Sequence, residues 1–268
     1  MADTWDSIQH WELVLPPSRP SAAQLTQISS LIQGVNRDEP VAILGSTPEF
    51  RDLLYECGFT KIYVLDRNTF FYNSMSQGRI YKNQEQFVKG DWIDILDQFR
   101  NTFSIVLSDL TSGNIPYEQR GIFYKLIAGS LKEGGFFCDK VLTHPGPLIS
   151  VHELIGKYSQ LPRNILYINY FSCEMFFCSE LLDINYMVDS TNFYDILADR
   201  IQHPRVREFV NDARKITPPK CHWWYGRKWD ELKGEYCSDL QLIKTIEEDP
   251  SSPYFGRAKQ FIHIRRAK

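Results

Sequence analysis

The residues able to do chemistry cluster where short apolar runs end. The first such place is Leu44-Gly45-Ser46-Thr47-Pro48-Glu49. A glycine directly after an apolar run, followed by Thr-Pro-Glu at a helix start, lets the backbone pass close to a ligand at the helix N-terminus. A dinucleotide loop carries Gly-x-Gly-x-x-Gly, so that a pyrophosphate can approach that terminus. Here the second and third glycine positions hold Thr47 and Phe50. Glu49 also places a carboxylate in the first helical turn, where it would repel a pyrophosphate. The second place is Asp66, which closes Lys61-Ile-Tyr-Val-Leu-Asp66 about twenty residues after Gly45, an offset that suits the two hydroxyls of a ribose. Together these loops predict a site for a nucleoside without a pyrophosphate. Two further ionisable groups follow apolar runs: Asp109 after Phe103–Ser108, and His144 in Thr143-His-Pro-Gly146. Either has the chemistry of a general base, histidine by its natural pKa range. His144 reads equally well as a loop histidine bonded to backbone, and Asp109 as a turn residue or helix cap.

Continuous apolar strands must position these loops. Val41–Leu44, Lys61–Asp66, Gln86–Gly90, Phe103–Ser108 and Phe136–Leu142 are such runs, separated by amphipathic segments that end at Gly34, Gly58 and Gly134-Gly135. Buried strands alternating with helices predict a parallel sheet covered on both faces. Right-handed crossovers make it doubly wound, with ligands beyond the carboxyl ends of the strands. Ser21 caps a helix through Leu25, Ile28 and Leu31, and Thr47 with Pro48 starts another. After Leu142 the rhythm changes. Residues 149–160, Asn192–Ile201 and Arg205–Lys215 read as helices. The absence of Gly and Pro from 164 to 203 favours helices over hairpins. Leu240–Ile246 and Lys259–Arg265 alternate like strands and pair as an antiparallel hairpin on the sheet. The expected architecture is α/β: a doubly wound, mostly parallel seven-stranded sheet (Rossmann-like), with an antiparallel C-terminal hairpin and a helical insertion. The expected organisation is an N-terminal segment and helix over 1–40 and a cofactor-binding core over 41–145. A helical insertion covering the substrate follows over 146–220, then a Trp-rich loop and the closing hairpin over 221–268.

S-adenosylmethionine satisfies the nucleoside-without-pyrophosphate requirement. The sequence resembles the class I S-adenosylmethionine-dependent methyltransferases, of small-molecule type. The resemblance lies in Val41–Glu49, Val64-Leu-Asp66-Arg67-Asn68, Val88-Lys-Gly-Asp91-Trp92, Ile105–Leu110 and Leu131–Phe136, five short motifs in order over about residues 41 to 142. It implies that Gly45, Ser46 and Thr47 line the methionine moiety and that Asp66 holds the ribose hydroxyls, with Arg67 and Asn68 as neighbours. Asp91 would accept from the adenine amino group with Trp92 packed near the base. Asp109 and Leu110 would lie beside the methionine end and the acceptor. The departure from the family is the loop at Gly45, which usually carries more than one glycine. Leu15-Pro-Pro-Ser-Arg19-Pro is either a strap over the cofactor, with Arg19 reaching its carboxylate, or a rigid N-terminal brace. Methyl transfer needs the acceptor held in line. The Asp/Asn-Pro-Pro-Tyr signature of methyltransferases acting on adenine or glutamine amino groups is absent, strand four giving Ser108–Asn114 instead.

Composition limits the alternatives. A formal charge of −3 in 268 residues lacks the footprint of a nucleic-acid binder, and the basic segment Arg257–Lys268 reads as a solvated strand face. No run of about 18 apolar residues predicts a membrane span. The acidic start lacks a secretory h-region, and six cysteines without a CxxC pair read as reduced, buried thiols. A cytoplasmic location is expected. No spacing predicts a metal site. Aromatic residues make 14% of the chain, and Trp223, Trp224, Tyr225 and Trp229 stand together. The first three, with His144, are candidates for contact with a planar or cationic small molecule. A nicotinamide-dependent oxidoreductase and a non-catalytic nucleoside-binding protein of the same fold remain alternatives. Oligomeric state and acceptor stay open.

Overall fold

The computed structural model describes residues 11–77, 79–81, 85–143, 147–191, 193–217, 221–225, 228–248 and 256–267. Strands form where the apolar runs stand: β1 Val41–Leu44, β2 Ile62–Asp66, β3 Gln86–Lys89, β4 Phe103–Asp109 and β5 Leu131–Leu142. Between and before them lie α1 Ala22–Leu31, α2 Pro48–Glu56, α3 Thr69–Gln77, α4 Trp92–Ile95 and α5 Tyr117–Ser130. Ser21 caps α1 through a reciprocal box, its hydroxyl accepting from Gln24 N while the Gln24 side chain accepts from Ser21 N. Pro48 occupies the first turn of α2, whose end is turned by Gly58 at φ +86°. Thr47 holds the cap position of α2, but its hydroxyl does not cap the helix.

After β5 come α6 Val151–Gln160, α7 Ile165–Met175, β6 Met187–Asp189, α8 Phe193–Arg200, α9 Pro204–Ile216 and β7 His222–Trp224. The chain ends with α10 Trp229–Lys233, β8 Leu240–Glu247 and β9 Ala258–Arg265. Seven strands make one sheet in the order β3-β2-β1-β4-β5-β9-β8. β1 to β5 run parallel, and β9 is antiparallel to both β5 and β8. The connection from β3 returns to β4 on the far side of β1, so strand order reverses there. Alternation along β1 sends Val41 and Ile43 into the layer beneath α1 and α2, and Ala42 and Leu44 into the layer beneath α5.

Four sequence expectations change. Segment 164–203 is not purely helical, and 221–225 is not loop, because β6 pairs antiparallel with β7 to form a separate two-stranded sheet. The missing Gly and Pro did not prevent a tight turn at Asp183–Tyr186, where Tyr186 has φ +56° and Leu182 bridges antiparallel to Val188, while β6 finds its strand partner more than thirty residues away in β7. Within the Arg257–Lys268 segment, β9 is not a solvated face. β9 lies inside the sheet, with Gln260 to His263 buried between β5 and β8. Of the six cysteines, all free thiols, Cys57 and Cys237 are only half-buried.

A buried ionic network ties α2 to α3 and to the approach to β3. Arg51 pairs with Glu85, donates to Ser76 Oγ at 2.7 Å and lies over the Tyr72 ring. Arg79 bridges Asp52 at 3.0 Å and Glu85 at 2.8 Å. Both arginines and Glu85 are almost fully buried, so removing one partner strands a charge. Arg51→Met should cost roughly 3–5 kcal/mol in urea unfolding. A loss below about 1 kcal/mol would show that this network does not hold α3 in place.

Candidate functional site

The crevice between the carboxyl ends of β1 and β4, where strand order reverses, is a cavity formed by the loops of the sheet and closed by α7, α9, β7 and residues 11–20. Gly45 leaves β1 at φ +86°, a conformation that a side chain would strain, and donates its amide to Leu65 O at 2.9 Å. This carries the backbone of Ser46 and Thr47 along the cavity wall. Ser46 Oγ donates to Asp66 Oδ2 at 2.6 Å, and Asn68 N donates to Asp66 Oδ1 at 3.0 Å. Burial pushes the Asp66 carboxyl above its ordinary value, against the pull of these two hydrogen bonds. Each carboxylate oxygen keeps a lone pair for a ligand donor.

Asn68 Oδ1 accepts from Phe71 N at 2.9 Å, which fixes the amide orientation. Its Nδ2 is buried without a hydrogen-bond partner among the described residues, and Asn68 lines the cavity. An unmade donor in such a place costs free energy unless a ligand accepts from it. Arg67 also lines the cavity at this end. Trp92 stands there with its indole nitrogen committed to Leu65 O at 2.7 Å, which locks the ring.

Asp91 is placed otherwise. It is exposed, caps α4 by accepting from Ile93 N at 3.1 Å, and does not line the cavity. Gly90 before it is fixed by space, since a Cβ there would lie 2.2 Å from Ile95 Cγ2. Asp91→Ala should therefore cost about 1 kcal/mol of stability as a lost cap. Asp91→Ser keeps a cap, so comparing the two variants' nucleoside affinities by calorimetry isolates any contact to a base. Equal, wild-type affinity in both would leave Asp91 only its capping role.

At the end of β4 the chain turns sharply. Asp109 is followed by Leu110 at φ +60°, a left-handed conformation uncommon for leucine, and by a 3-10 turn over Thr111–Asn114. Thr111 Oγ1 donates to Leu44 O at 3.0 Å and Asn114 Nδ2 to Leu110 O at 3.3 Å, binding the turn to β1. Asp109, Leu110, Thr111 and Asn114 all line the cavity. Asp109 pairs with Lys140 of β5 at 3.0 Å, both side chains almost fully buried. Burial drives the Asp109 carboxyl up to about 6, against the Lys140 cation.

Arg19 does not line the cavity. It pairs with Glu49, and the Lys140 ammonium donates to Arg19 O at 2.8 Å. Glu49 also accepts from Trp11 Nε1 at 3.0 Å. Residues 11–20 thus lie across the site, latched to α2 and clamped to α7 by Asn169, which accepts from Leu15 N and donates to Leu13 O, each at 2.9 Å. Trp11, Val14 and Ser18 of this strap face the cavity.

The aromatic run divides by strand alternation. Trp223 and Tyr225 share the face of β7 that lines the cavity, with planes 13° apart, and Phe176 meets both edge-on. Trp224 lies on the other face with His222, and its carbonyl accepts from Arg120. Trp229 stacks on Phe261 at 3.7 Å in a separate small cluster. His144 lies outside the described residues. Sequence reasoning missed Thr111, Asn114, Phe71, Phe176 and, ahead of the proline-rich stretch, Trp11 and Val14. Thr111 and Asn114 follow Asp109 directly, so the end of β4 was the available signal. Phe176 carried none. Among the described residues no group of three or more His, Cys, Asp or Glu is placed to hold a metal ion, and no helix is long and apolar enough to cross a membrane.

No protein-family model and no curated protein matches the chain. Solved structures match its fold. A Rhodobacter sphaeroides protein provisionally assigned as a Zn-dependent alcohol dehydrogenase is 15% identical, with 97% of this chain and 95% of that one covered at a TM-score of 0.60. A Methanosarcina mazei S-adenosylmethionine-dependent methyltransferase is 9% identical over 89% of this chain and 98% of that one, at 0.53. The Burkholderia thailandensis 1,6-didemethyltoxoflavin-N1-methyltransferase, solved with 1,6-didemethyltoxoflavin and S-adenosylhomocysteine, is 9% identical over 91% and 78%, at 0.51. The chain has the Rossmann-like, doubly wound fold of the class I S-adenosylmethionine-dependent methyltransferases.

Proposed function

We propose that this protein is an S-adenosylmethionine-dependent methyltransferase acting on a small molecule. One observation carries the reading: at the β2 end of the crevice a buried carboxylate, Asp66, stands beside the Asn68 Nδ2, which has no partner among the described residues, next to the left-handed turn at Gly45. A ribose presents donors and acceptors side by side, which is what that pair lacks. The residues fit a nucleoside. Asp66 and Asn68 would hold the sugar, with Arg67 beside them and Trp92 against the base. Gly45, Ser46, Thr47 and Leu110 would pass along the amino-acid tail. Bound there, S-adenosylmethionine supplies an electrophilic methyl group at its sulfonium.

The chain's own residues do the rest. The strap and the insertion exclude water, and the aromatic face of β7 orients the acceptor. Asp109 accepts a hydrogen bond, and if needed a proton, at its carboxylate oxygens. Arg19 supports this indirectly by latching the strap through Glu49. A cytoplasmic setting and the division into core, insertion and closing hairpin belong to the same proposal.

A nicotinamide dinucleotide fits less well. Thr47 and Phe50 stand where glycines would admit the pyrophosphate, and the Glu49 carboxylate with its partner Trp11 fills the approach to α2. Calorimetry with S-adenosylhomocysteine and with NADH tests the choice. Micromolar binding of the former with none of the latter is expected. Heat from NADH alone would transfer the site to an oxidoreductase.

A further inference from the structure

The crevice has two chemically distinct ends, and the end remote from Asp66 specifies what shares the site with a nucleoside. Its walls are Phe176, Trp223 and Tyr225, with Ile216 and Leu142 beside them. Ser172 and Thr217 add hydroxyls that are hydrogen-bonded to each other at 2.7 Å. Tyr225 is held in place by contact. Gly113 of the turn after β4 lies directly beneath its ring, and a Cβ at that glycine would fall 1.8 Å from Tyr225 Cε1. The insertion's aromatic wall is therefore docked onto the loop that carries Asp109, and the two line one cavity.

Charge decides between kinds of flat ligand. Asp109 is the carboxylate at this end among the described lining residues, and its charge is already matched by Lys140 at 3.0 Å. A neutral ion pair offers no net attraction to a cation, although the rings could hold one. A carboxylate or phosphate would be desolvated here with no net positive charge to offset the cost. An uncharged donor, a hydroxyl or a ring N–H, meets the carboxylate without that cost.

We propose that this end of the crevice takes a neutral, planar aromatic or heteroaromatic molecule that presents one hydroxyl or ring N–H to Asp109 while its ring packs on Trp223 and Tyr225. The inference rests on the methyltransferase reading, for which such a molecule is the acceptor. It is tested through binding rather than turnover.

Three probes share one ring system: 2-naphthol, 2-naphthoate and 2-naphthyltrimethylammonium. Calorimetry on the full chain in the presence of S-adenosylhomocysteine should show 2-naphthol binding at least tenfold tighter than either charged probe. Trp223→Leu should weaken 2-naphthol about tenfold, and Gly113→Ala should weaken it by displacing Tyr225. S-adenosylhomocysteine affinity, read in the same variants, reports that they are folded. If Trp223→Leu proves unstable, Asp109→Asn, which removes the charged acceptor of the ligand hydroxyl, should still lower 2-naphthol affinity about fivefold. Equal or tighter binding of the anion or the cation overturns the proposal, as does 2-naphthol affinity unchanged by all three substitutions. S-adenosylhomocysteine binding without 2-naphthol binding overturns this inference alone. Binding of 2-naphthol without S-adenosylhomocysteine upholds the ligand class and defeats the cofactor reading instead.

Discussion

Asp66→Ala should lower affinity for S-adenosylhomocysteine by at least about thirtyfold, leaving the protein folded. Among the described lining residues the Asp66 carboxylate is the one buried acid at the β2 end of the crevice, and hydrogen bonds to a charged group are worth roughly 1.5–3 kcal/mol each. Its stability cost should be small, and the sign follows from its pKa. Burial raises the folded value above the unfolded one, so the group favours folding while protonated and that contribution is lost as pH rises through the folded value. At neutral pH the fold therefore carries Asp66 at a cost, and the ligand offsets it. A melting temperature at pH 7.5 equal to or above wild type, together with the lost affinity in calorimetry, is the expected pair of results. Wild-type affinity in Asp66→Ala would remove the ribose from this site. Asp66→Asn, whose single carbonyl oxygen replaces one of the two acceptors that Ser46 and Asn68 use, should recover part of the loss.

The second large effect concerns Asp109. Its carboxyl is raised to about 6 by burial while Lys140, 3.0 Å away, pulls it down. Carbon-13 NMR of labelled aspartate carboxyls should show a signal titrating near pH 6 that disappears in Asp109→Asn. Asp139, buried beneath Ser108, Tyr124 and Tyr236 and also near 6, gives a second signal, assigned by Asp139→Asn. Lys140→Met removes the opposing cation and should move the Asp109 midpoint upward by more than one pH unit. Affinity for a neutral hydroxyl ligand should then rise through pH 6 in the wild type and only at higher pH in the variant, because the acceptor is the ionised carboxylate. A midpoint unmoved by Lys140→Met would mean that the pair is not electrostatically coupled, and the charge argument for a neutral ligand would fall with it.

How much was legible beforehand depended on how local each determinant is. Gly45 and Asp66 could be read directly, because a strand end followed by a helix start is written in consecutive residues. The same local logic found Pro48, Gly58 and the capping residue Ser21. Asp91 shows the limit: an acid after Gly90 looks the same in sequence whether it faces a base or caps a short helix. Leu110 in a left-handed conformation also had no signal, since nothing in leucine asks for it.

The apolar runs and their spacing by themselves determined the alternating strands and helices, and with handedness the doubly wound sheet, because burial on both faces and right-handed crossovers leave few other arrangements. Tertiary structure decided how the crevice is covered and which residues face it. The β6–β7 pair joins segments more than thirty residues apart, and the strap reaches Glu49 and Asn169 across still longer separations. Those contacts depend on where distant elements pack, which no periodicity in the chain encodes. Period-two alternation then sends Trp223 and Tyr225 to the cavity and Trp224 away from it, a choice that exists only once residues 222–224 are a strand.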